Sequence, residues 1–376
     1  MYRERFATAQ KLVYLDTAAE GLPLPEWEEA LGEYHRAKMR GSPADKDFYR
    51  VEAETVELSA RLLGAPSSNV VLLSNTSAAT IALATSLDWK ASDQVIISDL
   101  DFPSGVLPWL RLRKYGVEVI LLRSQAGVLH WEQFAEVISP RTRLISLSLV
   151  SYKTGTYLPF IPKLAAEADR VGAIVCIDAT QALGRCPLAL DGVHYLMSST
   201  HKWLLGPHGL SIVYVASELR KKLDPAGIGW WSVENIFTAD RFERYELKKG
   251  AACLAPGMPS FLPMYMLQRS LTFIQEAGVQ RLYEELKPVV ARLRQGLVDL
   301  ELELLTPAAP ELASGIVAFA HQKAQQIGAL LEGQGVVVWA DDGRVRSSVH
   351  LYNDVTDVDH YLRALEGVLQ EVSVHV

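Results

Sequence analysis

The chain of 376 residues is poor in the features that mark disulfide-rich, membrane-spanning and nucleic-acid-binding proteins. Its three cysteines, Cys176, Cys186 and Cys253, are too few for a disulfide framework and fit no zinc motif, so a reducing cytoplasm is the expected location. No apolar run approaches the ~18 residues needed to cross a bilayer, and the first residues lead into no signal segment. The net charge of −7 offers no basic face for nucleic acid.

What the chain does contain is an alternation of short apolar runs with longer amphipathic ones. Five β-branched runs predict buried strands, and helical patterns over residues 76–87 and 161–171 lie between them. Strand and helix in alternation predict a mostly parallel sheet covered by helices on both faces. The predicted strands are residues 70–73, 94–97, 118–122, 144–149 and 173–177.

After about residue 260 the pattern changes to that of a second domain. A long helical pattern over residues 265–296 is followed by shorter strands and helices, and acidic residues at 354–357 begin the last of these. We therefore predict a large α/β domain over residues 16–260 and a smaller α+β domain formed by residues 1–15 and 261–376. The shorter elements are strands near 316–319, 336–339 and 345–351, and helices near 322–333 and 358–372.

Three polar segments of the first domain carry candidate chemistry. One apolar strand ends on Asp178, and ligands of parallel sheets bind beyond the carboxyl ends of strands. The segment 198–209 sets Lys202 between hydroxyl groups and a Gly-Pro-x-Gly turn. The segment 74–80 places Thr76 and Ser77 at the start of a helix, where free amides bind anions.

Each segment taken alone has an ordinary structural explanation. An aspartate after a strand is more often a turn or cap residue, a loop lysine is commonly solvated, and serine or threonine commonly caps a helix. The apolar residues beside Lys202 favour burial, which lowers the pKa of an amine and prepares it for imine chemistry. Together the segments supply a phosphate site, a carboxylate for a protonated ring nitrogen and a Schiff-base lysine, so the sequence predicts pyridoxal 5'-phosphate on Lys202.

The segment 198–209 also resembles the lysine motif of the class V aminotransferase family, which includes cysteine desulfurases, selenocysteine lyases and isopenicillin N epimerase-like proteins. The resemblance extends from Tyr-Leu-Asp-Thr-Ala-Ala at 14–19 to Arg-Ser-Ser-Val-His-Leu-Tyr-Asn at 346–353. It implies fold type I, with a mostly parallel seven-stranded sheet in the large domain and a smaller α+β C-terminal domain. It also implies a homodimer whose sites are built from both subunits.

The resemblance implies a role for each matching residue. Lys202 would hold the cofactor and move the proton at the substrate Cα, and Asp178 would pair with the ring nitrogen. Arg346, which alone would suggest a surface ion pair, would clamp the substrate carboxylate with two hydrogen bonds. Phe102 falls where the family often places a histidine over the ring, and it can stack there but cannot exchange a proton. The other implied contacts are Gln181 to the ring hydroxyl and Thr76, Ser77, Ser199 and His201 to the phosphate.

Two departures from the family pattern bear on the reaction. Cysteine desulfurases carry a nucleophilic cysteine shortly before the carboxylate-binding arginine, whereas residues 335–345 contain none here. Cys176 and Cys186 are expected in the core. Met258 stands where a threonine usually reaches a phosphate in the partner subunit, which leaves the backbone or Ser260 for that contact.

These observations favour an enzyme that acts on an amino acid. A C–S lyase that works by β-elimination, cysteine-desulfurase-like but without the persulfide cysteine, needs only Lys202 as base and no acceptor keto acid. Transamination and epimerisation are alternatives, and epimerisation normally needs a second acid–base group where Phe102 lies. A non-catalytic binding protein of the same fold is disfavoured by the intact Lys202, Asp178 and Arg346. Trp230 and Trp231 would line either the active-site mouth or an interface.

Overall fold

The computed structural model describes residues 2–374, in which short strands and amphipathic helices alternate as far as residue 220. The elements, in chain order, are α1 (Ala7–Lys11), β1 (Val13–Tyr14), α2 (Trp27–Met39), α3 (Asp45–Leu63), β2 (Val70–Leu73), α4 (Thr76–Thr85), β3 (Gln94–Ser98), α5 (Leu107–Arg111), β4 (Glu118–Leu122), α6 (Trp131–Val137), β5 (Thr142–Ser148), α7 (Ile161–Val171), β6 (Ile174–Asp178), β7 (Tyr195–Ser199), β8 (Ser211–Val215), α8 (Ser217–Arg220), α9 (Phe261–Ala277), α10 (Val279–Asp299), β9 (Ile316–Ala320), α11 (Ala324–Gly333), β10 (Val336–Val337), β11 (Trp339–Asp341), β12 (Arg344–Ser348) and α12 (Val355–Val374).

A seven-stranded sheet in the order β2-β8-β7-β6-β5-β3-β4 is the largest element of the fold. β8 runs antiparallel to its neighbours β2 and β7, and the other pairs are parallel, which confirms the predicted mostly parallel sheet. Both faces of the sheet are covered. In β2, Val70 and Leu72 pack into one hydrophobic cluster, while Val71 and Leu73 pack into the cluster on the opposite face. Strands buried on both faces need continuous apolar sequence, and this is why the runs were recognisable.

The helix α7 shows how local sequence sets the covering layer. Pro162 lies in its first turn, where the missing N–H costs nothing, and Gly172 ends it with φ +73°. Ile161, Leu164 and Ala168 form the buried stripe between these signals, and they pack against the sheet in the same cluster as Val175. The terminal signals and the buried apolar stripe together account for the predicted helix.

A second core is built around the three-stranded antiparallel sheet β11-β12-β9. Helices α10, α11 and α12 cover it, and the N-terminal Val13 and Leu15 belong to the same cluster. The short strand β1 pairs in parallel with β10, which attaches the start of the chain to this core. Helix α9 instead packs on α2 and α3 in the cluster of the large sheet.

Two expected elements are divided. The helix expected over 265–296 is two helices, α9 and α10, separated by Gly278 with φ +77° and ψ +107°, a conformation that a helix cannot contain. The strand expected over 336–339 is split into β10 and β11, which pair in different sheets. Within residues 2–374, no helix is both long enough and apolar enough to cross a membrane.

Candidate active site

A cavity of about 200 Å³ lies at the carboxyl ends of the parallel strands. Its residues follow β2, β3, β5, β6 and β7, which all end at the same edge of the sheet because these strands are parallel. The chain thereby brings together residues that are far apart in sequence. The lining residues are Asn75, Thr76, Ser77, Phe102, Ser104, Ser148, Val150, Tyr152, Asp178, Thr180, Gln181, Ser199, His201 and Lys202.

Lys202 lies in the turn that follows β7 and lines the cavity, and no carboxylate among residues 2–374 is in ion-pair contact with its amine. Burial lowers the pKa of Lys202 to about 8, and the charge of Arg346 acts in the same direction, against opposing contributions from Asp178, Asp16 and Glu20. The N-terminal segment packs directly on this turn. Gly21 donates its N–H to the carbonyl of His201 at 2.8 Å, and a Cβ at Gly21 would lie 2.1 Å from the carbonyl oxygen of Lys202.

Asp178 is the last residue of β6 and is buried at the floor of the cavity. Its Oδ1 accepts a hydrogen bond from the Thr180 N–H at 2.8 Å. Burial raises the pKa of Asp178, while the Thr180 hydrogen bond and the charge of Lys202 oppose that rise. No arginine or lysine of the described chain forms an ion pair with this carboxylate, so it lacks the cation that a protonated ring nitrogen would supply.

The first turn of α4 forms the opposite end of the cavity. Asn75 caps the helix by accepting from the Ala78 N–H at 2.8 Å, which leaves the amides of Thr76 and Ser77 directed at the cavity. The Thr76 hydroxyl lies 3.4 Å from that of Ser199. Hydroxyls and free amides at a helix N-terminus suit a phosphate group.

His201 closes the same end of the cavity. Burial, with smaller effects from His208 and Lys202, lowers the pKa of His201 to about 4, so its ring is neutral at pH 7 and carries one N–H. The ring stacks on His208 with centroids 4.0 Å apart, and His208 Nε2 lies 2.7 Å from Glu20. These three side chains bring their potential ligand atoms within 4.8 Å of one another, and in the structure His208 is hydrogen-bonded to Glu20.

Gln181 is held by two hydrogen bonds from within the fold. Its Nε2 donates to the carbonyl of Ala18 at 3.0 Å, and its Oε1 accepts from the Trp203 indole N–H at 2.6 Å. The second hydrogen on Nε2 is left to donate toward the cavity. Gln181 can therefore donate a hydrogen bond to an acceptor oxygen on a ligand.

Phe102 forms one wall of the cavity and stands in edge-to-face contact with Tyr152, with ring centroids 5.0 Å apart. Lys202 Nζ lies 5.7 Å from the Phe102 ring centroid. The Phe102 ring therefore borders the space beside the Lys202 amine and can stack on a planar ligand in the cavity.

Arg346 on β12 lies behind the cavity wall rather than lining it. Its Nη1 donates to the carbonyl of Tyr152 at 3.0 Å, Nη2 is 3.4 Å from the Asp16 carboxylate, and Nε has no hydrogen-bond partner among residues 2–374. Burial raises the pKa of Asp16 to about 6, opposed chiefly by Arg346. The Nε and Nη2 edge of the guanidinium is thus weakly engaged, although it is buried.

The structure therefore brings all the expected site residues except Arg346 to one cavity, and it puts Arg346 directly behind that cavity. Their individual roles stay predictions. Tyr152 and Asp16 were not foreseen. Tyr152 follows β5 at the same edge of the sheet, so the reasoning that placed Asp178 would have found it.

A seven-stranded, mostly parallel fold with a partly buried lysine, a buried carboxylate and a helix N-terminus around one cavity at its strand ends is that of a pyridoxal phosphate-dependent enzyme of fold type I. The chain belongs to the class V aminotransferase family, whose sequence pattern (Aminotransferase class-V) matches residues 13–364. Pyridoxal 5'-phosphate is the cofactor of this family, so the expected family, fold and cofactor are confirmed.

Proteins with different described activities match nearly the full length of this chain. It is 27% identical over 362 residues to the uncharacterized aminotransferase YcbU of Bacillus subtilis, covering 96% of this chain and 95% of that protein. It is 27% identical over 397 residues to a probable cysteine desulfurase of Aeropyrum pernix, covering 95% and 94%. The structure of the cystine C–S lyase C-DES with its product cysteine persulfide superposes with a TM-score of 0.87 at 21% identity, covering 96% and 99%.

Proposed function

We propose that this enzyme is a C–S lyase that releases sulfur from a cysteine-derived amino acid by β-elimination. The observation that carries the proposal is the distribution of bases around the cavity. Lys202 has a pKa of about 8, His201 is neutral with a pKa of about 4, and Phe102, which cannot exchange a proton, lines the cavity where the family often has a histidine. One base on one face suffices for elimination, whereas epimerisation normally requires a second acid–base group on the other face.

The cavity residues fit the cofactor at each of its polar ends. Thr76, Ser77, Ser199 and His201 would hold the phosphate, and Asp178 would hold the proton on the ring nitrogen. Gln181 would donate to the ring oxygen, in keeping with its remaining N–H. We propose that Lys202 Nζ is the amine that binds the cofactor aldehyde as a Schiff base, because burial leaves much of it neutral near pH 8.

We propose that Arg346 binds the carboxylate of the amino-acid substrate. Its Nε lacks a partner and its Nη2 makes only a 3.4 Å contact with Asp16, so these two donors can take both oxygens of one carboxylate. The substrate would displace Asp16 from Nη2 and reach the guanidinium past Tyr152. Holding the carboxylate there fixes the amino acid with its Cα toward Lys202.

Pyridoxal phosphate, when bound, supplies an aldehyde for the substrate amine and a ring that draws electrons from Cα. Lys202 Nζ takes the proton from Cα and Asp178 keeps the ring nitrogen protonated. The Cβ–S bond breaks, its electron pair leaves with sulfur, and the sulfur takes up a proton to form a thiol. With one water consumed, the thioether amino acid yields thiol, pyruvate and ammonia.

The sulfur would leave without passing through a protein cysteine. Cys176, Cys186 and Cys253 are all buried, and none of them lines the cavity. Residues 335–345 fold into β10 and the β11–β12 hairpin, with only Asp342 and Gly343 between its strands. This segment therefore offers neither a nucleophilic thiol nor a long loop to carry one to the substrate.

The reaction is tested by measuring two products in parallel. Purified enzyme is incubated with L-cysteine, L-cystine and S-alkylcysteines, and pyruvate and thiol or sulfide are quantified. The same amino acids are assayed for amino transfer to pyruvate and to 2-oxoglutarate. Equal amounts of pyruvate and thiol, with no dependence on keto acid, would support the proposal. Keto-acid-dependent transfer without any sulfur product would replace the lyase with an aminotransferase.

We also propose that the enzyme is a homodimer. Ile81 and Met258 are about half exposed and lie together on an apolar depression of about 490 Å³ formed by α4 and residues 254–260. Sedimentation at micromolar concentration should give a dimer, and the double variant Ile81→Glu, Met258→Glu should give a monomer. Met39→Glu, which changes an exposed methionine on α2, is the matched control and should remain dimeric. A monomeric wild type would refute this assignment.

The domain division and the cellular location are proposals as well. We propose the division into a large domain over 16–260 and a smaller one formed by 1–15 and 261–376, supported by separate hydrophobic clusters around the two sheets. The cytoplasmic location remains a prediction from the three unpaired cysteines.

A further inference from the structure

A second cavity, of about 460 Å³, lies between α10, the segment 306–314 and β9. It shares no lining residue with the cavity that contains Lys202. Most of its wall is apolar, and Tyr283, Val290, Ile316 and Val317 are among the residues that line it. Its volume lies within the range of small-molecule sites in proteins.

Arg185 lies at the inner end of this second cavity and is 1% exposed. Its Nε donates to the carbonyl of Val349 at 3.1 Å, while Nη1 has no hydrogen-bond partner within residues 2–374. The guanidinium carbon lies 5.9 Å from the ring centroid of Tyr283. No carboxylate of the described chain lies within ion-pair distance of Arg185.

The buried guanidinium of Arg185 would be stabilised by a bound anion. Burial lowers the pKa of Arg185, yet an arginine side chain remains protonated at any pH at which the protein is folded. A buried charge without a partner is among the costliest arrangements in a protein interior, and in folded proteins such charges are paired or bind an ion.

The nearby carboxylates do not supply that anion. Glu284 is paired with Lys287 at 2.7 Å, and Glu311, a lining residue, is exposed and forms no ion pair within the described part of the chain. Arg294, which also lines the cavity, donates to the carbonyls of Thr306 and Pro307 and has no carboxylate partner among the same residues. The cavity thus carries excess positive charge together with an apolar wall.

We propose that this second cavity binds a small organic carboxylate with an apolar body, with its charge on Arg185 and its body against Tyr283, Val290 and Val317. The site is separate from the catalytic one. Trp203 lies between them, packed with Arg185 against Gly315, where an added Cβ would lie 2.6 Å from the indole and 2.9 Å from Arg185 Nε. The same indole donates to Gln181 in the first cavity.

The test uses the cofactor-loaded enzyme and phenylacetate as the probe, with neutral phenylacetamide as its control. Binding is measured by calorimetry in the wild type and in three variants. Arg185→Gln removes the charge, Ala291→Trp fills the cavity from an exposed position on α10, and Arg346→Ala removes the catalytic carboxylate site. We expect phenylacetate to bind about 10-fold or more weakly to Arg185→Gln and Ala291→Trp, and unchanged to Arg346→Ala.

Several results would overturn the assignment. They are loss of binding in Arg346→Ala with retention in Arg185→Gln, equal binding of phenylacetamide, and no binding of phenylacetate at millimolar concentration. Tighter binding in Glu311→Gln would support the site, because this change removes a competing carboxylate from the cavity lining. If Arg185→Gln does not fold, Ala291→Trp decides, because its altered side chain lies on the surface of a helix. None of these measurements depends on which reaction the enzyme catalyses.

Discussion

Replacing Lys202 by methionine should make the cofactor-free protein more stable, although it removes the residue on which the proposed reaction depends. Methionine has similar length and no charge, so it fills the same space without an ammonium group. Burial depresses the pKa of Lys202 from 10.5 to about 8, which corresponds to about 3 kcal/mol of unfavourable free energy for the charged amine in the folded state. Because the side chain retains some exposure, we expect a gain of about 1–3 kcal/mol at pH 7.

The stability gain of Lys202→Met should become smaller as the pH rises. Below pH 8 the amine is charged in both the folded and the unfolded state, so the folded state bears the full cost. Between pH 8 and 10.5 the unfolded state binds more protons than the folded state, so the stability of the wild type rises with pH. At pH 9.5 the advantage of Lys202→Met should therefore shrink to about 1 kcal/mol.

The assay is urea unfolding of the cofactor-free wild type, Lys202→Met and Lys38→Met at pH 7 and pH 9.5. Lys38 is exposed on α2, and its replacement should change stability by no more than about 0.5 kcal/mol at either pH. If Lys202→Met were less stable than wild type, or if its gain did not fall with pH, the lysine would not be a buried amine with a depressed pKa. The proposed activation of Lys202 would then lose its physical basis.

Three further predictions concern the cofactor and the substrate. The rate at which cofactor-free enzyme binds pyridoxal phosphate, measured by absorbance, should rise with pH around a midpoint near 8, because only the neutral amine reacts. A midpoint near 10.5 would contradict the burial of Lys202. Asp178→Asn should retain the cofactor but lose roughly 100-fold or more in kcat, and unimpaired turnover would show that the ring nitrogen is not paired there. Arg346→Lys should raise KM about 10- to 100-fold with a smaller change in kcat, whereas an unchanged KM would place the substrate carboxylate elsewhere.

Much of the large sheet could be predicted because its strands are buried on both faces. The run Val70–Leu73 is apolar at every position, so neither its start nor its end is ambiguous. β7 and β8 were not recognised as strands, since β7 ends in Ser198 and Ser199, and both elements have polar residues at positions that the interior buries.

The break at Gly278 could not be read from the sequence. A single glycine within a helical pattern costs only about 1 kcal/mol, so the pattern alone fits a continuous helix. The positive φ at Gly278 depends on tertiary packing, because α9 packs against the large sheet and α10 against the small one.

The candidate site was predictable where one short segment carries the chemistry. Asp178 ends one strand, and Lys202 and Thr76 follow two others of the same sheet, so the convergence of these residues follows from topology. The contact of Asp16 with Arg346 joins the two ends of the chain, and no local pattern encodes it. The lack of a carboxylate partner for Arg185 among the described residues is equally non-local, because it depends on the second cavity that the distant segment 306–314 borders.

The N-terminal segment is hydrogen-bonded both to the strand beside the small sheet and to the turn that carries Lys202. β1 is hydrogen-bonded to β10 beside the small sheet, and a few residues later Gly21 is hydrogen-bonded to the backbone of His201. Rotation of the small sheet relative to the large one would therefore move the turn that carries Lys202 or break these hydrogen bonds. Substitutions that loosen residues 13–21 in order to widen the entrance to the cavity would therefore also disturb the position of the Lys202 amine.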